Sequence, residues 1–125
     1  MINSIKITIG NEVLYGALYE TPTALAITEA LPVETSVHVW GGEIYFEISA
    51  QAVLESDAQA EVAVGDLAYW PTMPTFCIFF GPTPASHDGT PVAASAVNVF
   101  GRLEEVDLEQ LRSVRDGETI RVETN

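Results

Sequence analysis

Apolar and polar residues alternate in several short runs bounded by glycine and proline, the period expected of half-buried strands. Ile5, Ile7 and Ile9 alternate with Lys6 and Thr8. Gly10-Asn11 is a turn signal, and Val13 to Tyr19 reads as a second strand, so the chain is predicted to open with a hairpin. Thr21-Pro22 then predicts a helix start. Threonine caps the free N–H groups, and proline fits the first helical position, where its missing N–H costs nothing. Ala24, Leu25, Ala26, Ile27, Ala30 and Leu31 supply an apolar stripe, and Pro32 stops the helix.

Val33 to Trp40 again alternates, with Val37 and Val39 on one face and His38 and Trp40 on the other. Gly41-Gly42 turns the chain into Glu43–Ile48. There Ile44, Phe46 and Ile48 point one way and Glu43, Tyr45 and Glu47 the other. Gln59 to Val64 is a further short run. Two aromatic-rich runs, Gly65–Pro71 and Phe76–Phe80, flank a proline loop and end in Gly81-Pro82-Thr83-Pro84. Their bulk exceeds what strand packing alone needs, so the segment is read as core and pocket wall together. Phe79 and Phe80 are neighbours on one strand, so one must face in and the other out; the pattern does not say which.

A long small-residue loop is expected from Pro84 to Ser95, and loops of this length are often functional. Val97–Leu103 is the next strand. Asp107 caps one or two helical turns with Gln110 three residues on, Asp116-Gly117 turns, and Ile120 and Val122 mark a last strand. No repeat, linker or low-complexity tract interrupts the 125 residues, which form one predicted domain, 1–125. About eight short strands with two small helices predict a mainly β protein, a closed or nearly closed β-barrel.

Composition narrows the function. Net charge is −13, with 18 acidic residues against five basic ones, which excludes nucleic acid and anionic membrane as partners. The acidic residues are scattered, so the charge reads first as a solvation device, compatible with a salt-rich source, and second as an attractor of cations. The first residues, from Met1, lack the apolar core of a signal peptide, and no window approaches the roughly 20 apolar residues of a membrane span. A cytoplasmic protein is expected. The lone Cys77 sits in an apolar run and reads as a buried structural thiol.

The common catalytic signatures are absent: no phosphate-binding Gly-rich loop, no H-E-x-x-H and no C-x-x-C. Two histidines and one cysteine, far apart in sequence, do not make a metal site, and no cofactor is expected. Ser86-His87-Asp88 has the residue types of a hydrolase triad, but adjacent residues in one loop do not reach that geometry, and a polar turn is the reading kept. Glu43 and Glu47 share a face with Tyr45; as an acid–base pair they compete with an ordinary solvent face, the reading preferred. His38 is weighed as a proton carrier against a surface or rim histidine, the reading preferred. Tyr45, Trp70, Phe76 and Phe79 are the strongest binding candidates.

Thr21–Ala24, Trp40–Phe46, Gly65–Pro71, Phe76–Pro84 and Val97–Arg102 together resemble a family of small prokaryotic proteins with a cyclophilin-like fold. The resemblance spans nearly the whole chain and implies a closed eight-stranded cyclophilin-like β-barrel with two short capping helices. Cyclophilins proper are prolyl cis–trans isomerases, and the departures from them matter. The isomerases carry an arginine after a Phe-His pair; the matching strand here reads Ile44-Tyr45-Phe46-Glu47-Ile48, with Glu47 or Phe46 in that place. Val97 stands where the isomerases have a histidine. No catalytic residue carries over.

The expectation is therefore a non-isomerase that binds a small molecule or short peptide in a pocket of Tyr45, Glu47, Trp70, Pro71, Phe76 and Phe79, rimmed by the Pro84–Ser95 loop. A divergent isomerase would need a substitute electrophile from Lys6, Arg102, Arg112, Arg115 or Arg121. A structural module, with its aromatics buried in a homo-oligomer interface, is the third alternative.

Overall fold

The chain opens, as its alternation dictates, with a hairpin of β1 (Asn3–Ile9) and β2 (Glu12–Leu18) in a computed structural model that describes residues 3–125. Met1 and Ile2, part of the expected domain and of the leader reading, lie outside the described residues. Gly10 makes the turn at φ 57°, and Ile5, Ile7 and Ile9 are almost wholly buried. Helix α1 (Pro22–Ala30) begins as predicted: the Thr21 hydroxyl accepts from the Ala24 N–H at 3.1 Å. Its inner face, Thr23, Ala24 and Ile27, is buried, and Ala24 and Ile27 join the main core.

Beyond the helix come β3 (Val33–Ser36), β4 (His38–Trp40), β5 (Glu43–Glu47), β6 (Gln59–Glu61), β7 (Asp66–Trp70), β8 (Thr75–Phe79) and β9 (Val92–Leu103). The short helix α2 (Leu108–Arg112) and β10 (Thr119–Thr124) complete the chain. The strands pair antiparallel in one sheet of order β3-β10-β1-β2-β9-β7-β8-β5-β4, with β6 added on β9.

Two features correct the sequence reading. The described residues form ten strands, and among them the hydrogen-bonded ladder does not close. The run 33–40, continuous in its alternation, splits at Val37: β3 pairs with β10, β4 with β5. Val37 itself bonds to the turn before β10, donating to the Glu118 carbonyl at 2.9 Å and accepting from the Gly117 N–H at 2.8 Å. The Asp116 carboxylate then takes the Val39 N–H at 3.0 Å, a place a strand partner would otherwise fill. The two edges of the sheet are thus consecutive pieces of one segment.

The expected Pro84–Ser95 loop is also shorter, because β9 starts at Val92. Its small residues pack closely: Ala93 and Val97 are buried against Ala68, Cys77 and Phe79. In the loop, the Ser86 hydroxyl accepts from the Thr83 N–H at 2.9 Å and donates to the Thr90 carbonyl at 2.6 Å. Asp88 takes the Thr90 N–H, and His87 is exposed. This is a polar turn.

The main core lies on one face of the sheet, where Phe46 stacks on Phe76 at 4.9 Å and Phe76 meets Phe100 edge-on at 5.2 Å. A smaller apolar cluster, with Ala68, Cys77, Phe79 and Val97, lies on the other. Every residue of β8 is buried because both of its faces are covered. Close backbone approach fixes the turn after β4: a side chain at Gly42 would meet the Gly81 carbonyl at 2.2 Å. The Gly42 N–H donates to the Pro82 carbonyl at 2.8 Å, and the Gly42 carbonyl accepts from the Phe80 N–H at 2.7 Å.

Candidate functional site

A groove of about 330 Å³ opens over the smaller cluster, on the sheet face opposite the main core. Strand alternation builds it. The polar and aromatic positions of β4 (His38, Trp40) and β5 (Glu43, Tyr45, Glu47) line it, while their apolar neighbours Val37, Ile44 and Phe46 fill the core behind. From β8 come Thr75 and Cys77, from β9 Ala93, Ala94 and Val97, from the end of β7 Trp70, and from the β7–β8 connection Met73. The register places Tyr45 opposite both His38 and Cys77, so adjacent strands present their side chains as one surface.

Three aromatic rings and two carboxyl groups dominate this surface. His38 and Tyr45 lie with ring centroids 5.3 Å apart, and His38 Nδ1 is 3.9 Å from the Asp116 carboxylate at the rim. Trp70 donates its indole N–H to the Ser95 hydroxyl at 2.6 Å, which ties the end of β7 to the start of β9. Glu47 is exposed, whereas Glu43 keeps only 7% of its surface accessible.

Burial pushes the Glu43 carboxyl above the usual carboxylate range, partly offset by its hydrogen bond with the Cys77 thiol. Burial also raises the thiol well above its ordinary value, and the neighbouring Glu43 charge adds to this. The thiol has one proton and two acceptors in reach, the Thr75 carbonyl at 3.9 Å and Glu43; the carboxylate is the stronger. Desolvation raises Tyr45 as well, followed by the charges of Glu43 and Asp116. Cys77 is thus a buried, protonated thiol at the groove floor, as its apolar run predicted.

Of the six residues expected to form a pocket, Tyr45, Glu47 and Trp70 line the groove. Phe76 does not: it points to the main core with no accessible surface. Phe79 lies on the groove side but is fully buried in the smaller cluster. Phe79 and Phe80 do face opposite ways, yet both are buried, since each face carries its own apolar layer. Pro71 is half-buried and outside the lining.

The groove also takes in Trp40, absent from the expected pocket, and His38 and Glu43, read as a surface or rim histidine and a solvent-facing carboxylate. Their signal was present in the strict alternation opposite Val37, Val39 and Ile44, but it reads equally as solvent-facing. The groove contains neither lysine nor arginine. Among the described residues no group of His, Cys, Asp and Glu is arranged to hold a metal ion, and no helix is long and apolar enough to cross a membrane.

A buried polar cluster orders the segment after β5. Asn98 donates through Nδ2 to the Thr23 hydroxyl at 3.0 Å and to the Val53 carbonyl at 2.8 Å, and accepts from the Glu55 N–H at 2.8 Å. Glu55 in turn accepts from the Thr23 backbone N–H and hydroxyl at the start of α1. The irregular stretch 49–58 is held to the helix and β9 by this cluster.

Comparison with known proteins agrees with the architecture. A family model described as Cyclophilin-like matches residues 3–123. The chain is similar to a hypothetical protein from Archaeoglobus fulgidus, whose solution structure superposes with a TM-score of 0.84 at 37% identity, covering 99% of this chain and 95% of that one. No match is found among curated proteins.

Proposed function

The chain belongs to the cyclophilin-like family, and from that premise we propose that it is a non-isomerase binding protein that takes a small molecule or short peptide in the groove over β4, β5 and β8. One observation carries this reading: Trp40, Tyr45 and Trp70 converge on a concave surface although the core is already filled on the opposite face. Large aromatics left half-exposed around a cavity offer much contact area for little entropy. The absence of lysine and arginine from the lining supports binding over prolyl isomerisation, which would need an electrophile at the amide. We further read the sheet as a barrel joined covalently through Val37 where its ladder is interrupted.

Both tryptophans of the chain line the groove, so occupancy has an intrinsic reporter. A small-molecule and peptide library is screened by tryptophan emission and by NMR of the indole N–H signals. Saturable shifts of both indoles, lost in Trp70→Ala, are expected. A folded protein whose indoles respond to no member of the library would sink the proposal. A prolyl-peptide exchange assay run alongside tests the rival activity, with no catalysis expected.

A further inference from the structure

Building on that binding reading, we propose that the groove's ligand is a small organic cation of the substituted-ammonium type, seated among Trp40, Tyr45 and Trp70 with Glu43 as its counter-ion. Aromatic faces attract cations through the ring quadrupole at centroid distances within about 6 Å. Three such rings surround this cavity, and two carboxyl groups share its surface.

Glu43 is the decisive residue. It is 7% exposed, lines the groove, and among the described residues takes part in no salt bridge. A buried carboxylate without a cation is unfavourable, and its thiol neighbour brings a weak donor and no charge. A ligand ammonium supplies the missing charge. An anionic ligand meets Glu43, Glu47 and the rim Asp116, while a neutral one gains area but leaves Glu43 unmatched. The net charge of −13 biases the approach of cations. At about 330 Å³ the cavity suits a small molecule.

The test titrates the full chain with choline and with 3,3-dimethylbutan-1-ol, its neutral carbon isostere, at fixed salt, following the indole signals. Choline is expected to bind at least about tenfold tighter than the isostere. Glu43→Gln should erase most of that preference by weakening choline far more than the isostere. Glu47→Gln, at an exposed site and so without risk to folding, should reduce it by a smaller factor. Equal affinity for the two probes, or a preference that survives both substitutions, overturns the cation assignment and leaves the binding reading standing. A lysine-containing tripeptide that binds tenfold tighter than choline overturns the small-molecule assignment. Indoles silent to these probes and to the wider library would remove both readings.

Discussion

The Trp70 indole N–H and the Ser95 hydroxyl meet at 2.6 Å, joining two strands beside the groove by a single side-chain hydrogen bond. The bond fixes the plane of the one aromatic that reaches the groove from β7. Ser95→Ala removes it at an exposed position, so stability should fall by no more than ~1 kcal/mol. The Trp70 emission and indole shift should change clearly, and groove ligands should weaken by a factor of a few. An unchanged Trp70 signal would show that the bond does not hold the ring.

Trp70→Ala removes a half-buried ring that packs on the smaller cluster. Since the ring is only partly covered, the cost should be about 2 kcal/mol, below that of a full core deletion. Phe76→Ala, at a position with no accessible surface, should cost about 3–5 kcal/mol. Urea unfolding of the two variants checks the order. A reversed order would mean that the groove side carries more of the fold than its exposure suggests.

The raised Glu43 pKa gives pH dependence a definite sign. Its protonated form is favoured in the folded state, so its contribution is fully present below the ordinary value of 4.5 and is lost as pH rises through the raised one. Glu43→Gln keeps a neutral group there. The variant should therefore be more stable than the parent at neutral pH, and the gap should close as pH falls toward 4.5. Tyr45 and Cys77, both raised by burial and by the Glu43 charge, stay protonated across that range in either protein. Parallel melting curves across that range would contradict it.

Burial of Cys77 both shields its thiol and holds it protonated, and each effect slows its reaction. Alkylation by iodoacetamide should be slower than for a free thiol by at least about a thousandfold in the folded protein, and ordinary in denaturant. Rapid labelling under native conditions would mean that the groove floor opens.

Asn98 carries three hydrogen bonds in a place that water does not reach. Asn98→Leu leaves Thr23, the Val53 carbonyl and the Glu55 N–H without that partner, at an expected cost of about 2–4 kcal/mol. Hydrogen exchange should rise first in residues 49–58. A global change without that local signature would place the cluster's role elsewhere.

Much of the fold was legible because local chemistry and tertiary packing agree. Ile5, Ile7 and Ile9 alternate and are buried; Thr21 and Asp107 look like helix caps and act as caps. The break at Val37 was not legible. The change of partner from β10 to β5 leaves the alternation of 33–40 undisturbed, and its cause lies 80 residues away in the turn at Asp116 and Gly117. The facing of Phe76 and Phe79 was hidden for a different reason. A strand covered on both sides is apolar throughout, so its pattern carries no direction. Glu43, on the other hand, sat on a face whose polarity suggested solvent, because alternation shows which residues share a side and not what covers it.

An open sheet ordinarily ends in two rows of unpaired backbone groups, each a template on which a second molecule can add a strand and begin to aggregate. Here the terminal strands have four and three residues, and Val37 links them directly. A visiting strand finds no long row to copy at either end, and the same short stretch of chain blunts both.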